Sequence, residues 1–391
     1  MNKKLAIALD GLCFEASKHC VQLRPMKIVN CNAADSNSSY RSFSKAYCEV
    51  EAKSSKKFLF GDVFRRGIDI LIGYLENKAV PENRQERFVL DKLLSYVNSN
   101  AADDIPTTNL HEMTKGELSK LMTNHLFGKL STSPHYTVNK ECDDQRKDNC
   151  PCSYPDCQLT GALGDTSVGN SEVWHGNMDI IINDNLALHF ELPEENSKTA
   201  AENSLLEKQT SNASSQNSQL IAETIVFSFL QKQKHPEYSN FLTPAVGVGI
   251  SEMTIMFYDA EHDVLLESTR VPLFDSPEED CRKFSLAAIL ISWLVVNYKY
   301  LSSGLVDTMQ TYTADFHNHT RGKIEIYEQK LSLGNVGSSS SSRAKRKKPP
   351  TVVASSYLYK KHKLLSRIIF GEKCGDGDSD ENSSEEDKRN N

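Results

Sequence analysis

Apolar and polar positions alternate with different rhythms along this chain. Near the start the apolar runs are short: residues 5–9, residues 26–29 and the moderately alternating stretch Ala46-Tyr-Cys-Glu-Val-Glu-Ala52. Each predicts a strand, and residues 57–60 offer a further one. Over residues 62–75 the rhythm turns helical, with Phe64, Ile68, Leu71 and Leu75 on one broad face. Pro81 at a first turn opens a second helix to residue 97, with Leu90, Leu93 and Leu94 inward. Residues 98–108 are polar and contain Pro106, which puts a boundary near residue 105. Residues 1–105 therefore read as an N-terminal α+β region.

From residue 106 to 333 the order of elements predicts one core. Thr114-Lys-Gly-Glu117 is a capping-box pattern opening a helix that carries Leu118, Leu121, Met122, Leu126 and Phe127. A polar, cysteine-bearing loop covers 131–170. Residues 173–182 and 186–191 predict strands, a polar insertion fills 193–216, and residues 219–233 predict a strong helix. Strands follow at 245–250, 253–258 and 264–267, then a long apolar helix at 284–300. The sum, α–β–β–α–β–β–β–α, predicts an α/β (α+β) fold with a mixed sheet and helices on both faces.

The last stretch has another character. Ser338 to Ser342 is a serine run, Lys345-Arg346-Lys347-Lys348-Pro349 is basic, and residues 376–387 are acidic. Such segments cannot bury enough apolar area to offset the entropy of ordering. They predict a disordered tail over 334–391, with a short helix near 364–370. The basic segment 343–349 suits nuclear import machinery, which favours a nuclear over a cytoplasmic location. A solvated basic linker is the plainer reading.

Composition changes this picture little. The 391 residues carry a net charge of -7, so the average surface is not that of a nucleic-acid binder, and the basic block matters more than the sum. No run approaches the roughly 18 apolar residues of a membrane span. Asp10 ends the first apolar run too early for a signal peptide. Ten cysteines are sparse for a disulfide scaffold and fit reduced thiols.

Candidate chemistry centres on the segment from Trp174 to Glu191. Asn183-Asp-Asn185 between apolar runs is turn chemistry and predicts a hairpin. With three loop residues, Ile182 pairs with Leu186 and Asp179 falls opposite His189. Asp179, His189 and Glu191 then share one face, since side chains alternate with period two. A two-residue turn would separate Asp179 from Glu191. Two carboxylates at the end of a buried hairpin suit a hard divalent cation, magnesium or manganese, which would activate water against a phosphodiester. Two solvated acids at strand ends are the plainer reading.

At these residues the sequence resembles the PD-(D/E)XK nuclease-like superfamily. The resemblance rests on a helix carrying Glu117, on Gly176-x-x-Asp179 in a strand, on Glu191 ending the next strand, and on a helix beginning Gln219-Leu-Ile-Ala-Glu223. It implies a restriction-endonuclease-like core. It makes Asp179 and Glu191 the metal ligands together with the Leu192 carbonyl, Gln219 and Glu223 supports, and Glu117 an auxiliary ligand. His189 is a candidate base, or a structural strand histidine. The family has a lysine two residues after the glutamate, where this chain has Pro193. Lys198, Lys208, Lys232 and Lys234 are the candidate replacements. Three functions stand: a magnesium-dependent nuclease, an inactive nuclease-fold module that binds nucleic acid or protein, or a regulatory scaffold that works through the tail and the N-terminal region, preferred if Asp179 and Glu191 lie apart.

A second cluster joins Cys142, Cys150, Cys152 and Cys157, with His135 nearby. Four thiols this close can supply a tetrahedral zinc, although the spacing is not that of a standard knuckle. Free thiols packed in the loop are the alternative.

Overall fold

The computed structural model describes residues 2–17, 20–34, 41–99, 105–106, 110–140, 150–152, 154, 157–191, 208–275 and 281–336. The tail expected from 334 is therefore described only to residue 336. Its basic segment 343–349, the helix expected at 364–370, and residues 193–207 of the polar insertion lie outside the described residues.

The run at residues 5–9 is part of a helix, not a strand. Asn2–Cys13 (α1) buries Leu5, Leu9 and Leu12. Their spacing of four and then three residues puts them on one helical face, and that repeat outweighs the short apolar run.

The main sheet contains, in chain order, β1 Gln22–Cys31, β2 Cys48–Ala52, β3 Tyr136–Asn139, β4 Ala162–Gly164, β5 Ile180–Ile182, β6 Leu186–Phe190, β7 Leu242–Val248, β8 Glu252–Asp259 and β9 Val264–Ser268. Across the sheet they run β2-β1-β9-β8-β7-β6-β5-β3-β4. β6 lies parallel to β7 and β3 parallel to β4, and the other neighbours along this path are antiparallel. The sheet is mixed, as the element order predicts. A parallel step needs a crossover, and Lys208–Lys234 follows β6 as the long helix before β7.

The boundary expected near residue 105 divides no sheet. β1 pairs with β9 from Leu23↔Ser268 to Met26↔Leu265, so residues 1–105 and 106–333 share one sheet. The reason lies in β1 itself. Leu23 faces one core, and Met26 and Ile28 face the other. A strand apolar on both sides needs cover on both sides, which an interior place in a larger sheet provides.

Helices cover both faces. On one side lie α1, α2 Arg65–Asn77, α3 Arg84–Asn98, α4 Lys115–Met122 and Leu286–Val296, meeting the sheet through Ile68, Leu93, Leu121 and Trp293. On the other lies Lys208–Lys234 (α5), with Ile225 and Phe229 packed beside Phe316 and Tyr327. The hairpin alternates between the layers: Ile180, Leu188 and Phe190 enter the first core, Ile181 and Ala187 the second. Among the described residues no helix is long and apolar enough to cross a membrane.

The strand expected over 173–182 is two strands. Trp174–Asn177 joins a separate small sheet, pairing with Ser167–Gly169, and the chain crosses to β5 through Met178 and Asp179. Asp179 therefore sits at a junction between sheets.

Candidate functional site

The site is built on the β5–β6 hairpin. Its register runs Ile180↔Leu188, Ile181↔Ala187, Ile182↔Leu186, which leaves Asn183, Asp184 and Asn185 as the turn. Asn183 (φ 50°) and Asp184 (φ 57°) adopt the left-handed conformation. Asparagine and aspartate tolerate it better than other side chains, which is why this sequence turns here. One further step of the same register sets Asp179 opposite His189.

Asp179 is only 6% exposed. Its Oδ2 accepts the Phe190 amide at 2.7 Å and lies 2.8 Å from Lys115 Nζ and 3.5 Å from His189 Nδ1. Lys115 is the first residue of α4, where the helix dipole disfavours a cation. The Asp179 carboxylate compensates for that misplacement. The cap holds the helix start in place: Thr114 Oγ1 accepts the Glu117 amide at 3.3 Å, and Glu117 Oε2 accepts the Thr114 amide at 3.0 Å and its hydroxyl at 3.1 Å.

Glu117 thus has one carboxylate oxygen, Oε2, engaged by the cap. That arrangement gives it the role of a helix-start residue; the resemblance expects an auxiliary metal ligand here. Glu117→Ala is expected to lower stability by about 1 kcal/mol, as cap losses do, with divalent-ion binding unchanged. Calorimetric ion titration alongside thermal melting checks both parts.

On the other side of the hairpin, His189 Nδ1 lies 3.3 Å from Glu223 Oε2. Gln219, one helical turn before Glu223 on α5, donates from Nε2 to Glu223 Oε1 at 2.8 Å. Glu223 is 1% exposed. The two atoms are buried and meet at the edge of hydrogen-bonding geometry, so the contact combines charge attraction with a weakly aligned hydrogen bond. Burial pushes the His189 pKa down, but Glu223 and then Asp179 outweigh it and hold the imidazole above its ordinary range. Glu191 continues the same alternation as His189. It is half-buried, its amide donates to the Val248 carbonyl at 2.9 Å, and its carboxylate lies beside Gly247, the residue paired with His189.

The fold therefore links Asp179, His189, Glu223 and Gln219 in one network, with Glu191 on the adjoining strand end. The cation that joins them is Lys115, absent from the candidate lysines. Lys198 lies outside the described residues, the Lys208 side chain is not described, and Lys232 sits over the Phe241 ring at 5.2 Å. One signal in the sequence pointed to Lys115. It is a lysine in a first helical turn, directly after a strong cap, where a cation needs an anionic partner.

The cysteine cluster is also assembled differently from the sequence reading. His125, Cys150, Cys152 and Cys157 bring their ligand atoms within 4.8 Å of one another, an arrangement that can hold a metal ion. Cys142 lies outside the described residues, and His135 is exposed and not in the group. His125 belongs to a π-helical turn, Thr123–Phe127, that continues α4. Burial pushes the His125 pKa down to about 4 and the Cys150 and Cys157 thiols up. Among the described residues, Asp179, Glu191 and Glu223 form no comparable group of three ligand atoms.

Comparison of the chain with family models, curated proteins and solved structures finds no match.

Proposed function

We propose that the chain is a divalent-cation-dependent phosphodiesterase acting on nucleic acid, with Asp179 and Glu191 as the carboxylates for magnesium or manganese. The observation that carries this reading is the Lys115 ammonium 2.8 Å from Asp179 Oδ2. Pro193 removes the lysine from the position implied by the PD-(D/E)XK resemblance, and α4 returns an ammonium to the same carboxylate from elsewhere in the chain. Magnesium takes one or two carboxylates and fills its remaining positions with water and substrate oxygens, which suits a two-acid site. Such an ion, when bound, neutralises phosphoryl charge and acidifies a water.

The chain's own groups have distinct tasks. Lys115, with its side chain 35% exposed, can turn from Asp179 to a phosphate oxygen. Glu223 favours the protonated form of His189, and His189 lies beside Asp179, so both are positioning residues. The basic segment 343–349 adds salt-sensitive attraction to phosphates. By ligand softness the His125–cysteine cluster takes zinc, so the two sites answer to different ions.

Titration of the full chain with magnesium and manganese, compared with Asp179→Asn and Glu191→Gln, tests this reading. Binding that both substitutions abolish, with cleavage of single- or double-stranded DNA or RNA, is expected. Absence of ion binding by the wild-type chain overturns the phosphodiesterase. It would leave the non-catalytic nuclease-fold module, in which Phe190, Lys115 and His189 simply hold Asp179 in the resting fold.

A further inference from the structure

We propose that His125, Cys150, Cys152 and Cys157 form a closed structural zinc centre that pins the end of the helix bearing Lys115. The first support is distance. His125 Nε2 lies 3.4 Å from Cys150 Sγ and 3.6 Å from Cys157 Sγ. Zn–S bonds of about 2.3 Å and Zn–N bonds of about 2.0–2.1 Å in a tetrahedron set nitrogen and sulfur about 3.6 Å apart. Packed thiols and an imidazole reach such distances in pairs. Gathering four soft ligands around one point is what a metal requires.

The second support is the local chain. Two backbone bonds shape the cysteine segment, Cys150 amide to Cys157 carbonyl at 3.1 Å and Cys157 amide to Tyr154 carbonyl at 3.1 Å. The three thiols are free of disulfides. His125 comes from a π-helical turn, and single π-turns within α-helices gather at functional sites because they re-aim side chains at some loss of hydrogen-bond quality. Here the turn presents two successive residues to the cysteine segment. His125 supplies a ligand, and Asn124 Nδ2 donates to Cys157 Sγ at 3.3 Å. An amide donor to a ligating sulfur is the kind of outer contact that orients metal ligands.

The donor set also decides the role. Three sulfurs and one imidazole favour zinc over magnesium or calcium. Four protein ligands leave no position for water, so the centre is structural. It lies on the same helical stretch as Lys115 but shares no residue with the Asp179 network, so this assignment stands whether or not the phosphodiesterase does.

The test is elemental analysis of the full chain purified under reducing conditions, followed by cobalt substitution. About one zinc per chain is expected, with X-ray absorption showing three sulfurs and one nitrogen, and a strong thiolate-to-cobalt band after exchange. His125→Ala and Cys152→Ser are expected to lose the metal, and His125→Cys to keep it, which separates loss of a ligand from loss of the fold. Asn124→Ala is expected to weaken zinc by about 10–100-fold in chelator competition. A wild-type chain with neither zinc nor a cobalt–thiolate band overturns the assignment. So does a disulfide among the three cysteines, or a His125→Ala chain that holds zinc with unchanged affinity.

Discussion

Replacing Lys115 with methionine is expected to lower phosphodiester cleavage by about 10²–10³-fold, the usual effect of removing one preorganised electrostatic group from a reacting phosphate or acyl centre. The expectation follows from position. Lys115 is the cation directly beside Asp179, and its first-turn place on α4 is electrostatically unfavourable without that partner. Methionine matches the length of the stem and removes only the charge. Because Asp179 is buried, losing the ammonium leaves its carboxylate to the Phe190 amide and His189, and a stability loss of about 1–3 kcal/mol is expected. Lys115→Arg keeps the charge on a broader, planar head and should recover only part of the rate. The measurement is kcat on a nucleic-acid substrate in magnesium, with thermal melting of each variant alongside. A Lys115→Met chain that melts cooperatively and cleaves at the wild-type rate would show that the ammonium only neutralises Asp179 in the resting fold.

Loss of Glu223 is expected to destabilise the protein by roughly 3–5 kcal/mol near pH 6, the effect of removing one partner from a buried ion pair. Glu223 is buried, and it is the larger of the two carboxylate influences that hold His189 above its ordinary pKa. The sign of the pH dependence follows. An unfolded histidine titrates near about 6.5, and the folded one binds its proton more tightly. The stabilisation is therefore complete below about pH 6.5 and is lost as pH rises through the raised folded value. Urea unfolding of the wild-type chain should show stability declining as pH rises through that raised value. Glu223→Ala should flatten the decline and should cost less at pH 9 than at pH 6. An equal cost at both pH values would mean that His189 is neutral and that Glu223 acts only through its bond from Gln219.

Much of this site was legible because its determinants are local. The turn at residues 183–185, the period-two alternation of β6 and the cap at Thr114 each depend on a few neighbouring residues. They place Asp179 opposite His189 and Glu223 one turn from Gln219. The errors have one common form. Residues 5–9 are too short to distinguish strand from helix until the burial of Leu12 extends the repeat. Residues 173–182 hold apolar positions at both ends around His175-Gly-Asn177, and only pairing partners show that Trp174–Asn177 and β5 belong to different sheets. The boundary near 105 followed a real change in composition, yet composition does not register that β1 is apolar on both sides.

The sequence by itself determined the mixed α/β class, the hairpin that sets Asp179 opposite His189, and the presence of a cysteine-rich segment able to bind metal. These follow from backbone preferences and side-chain alternation, which act over a few residues. Tertiary structure alone decided which cation meets Asp179 and which imidazole completes the thiol cluster. Lys115 reaches Asp179 only because α4 packs against the end of β6, and His125 reaches Cys150, 25 residues later in the chain, through a π-turn that no local pattern announces. Long-range partners are chosen by how layers pack and by the need to neutralise buried charge, and neither leaves a periodic mark in the chain.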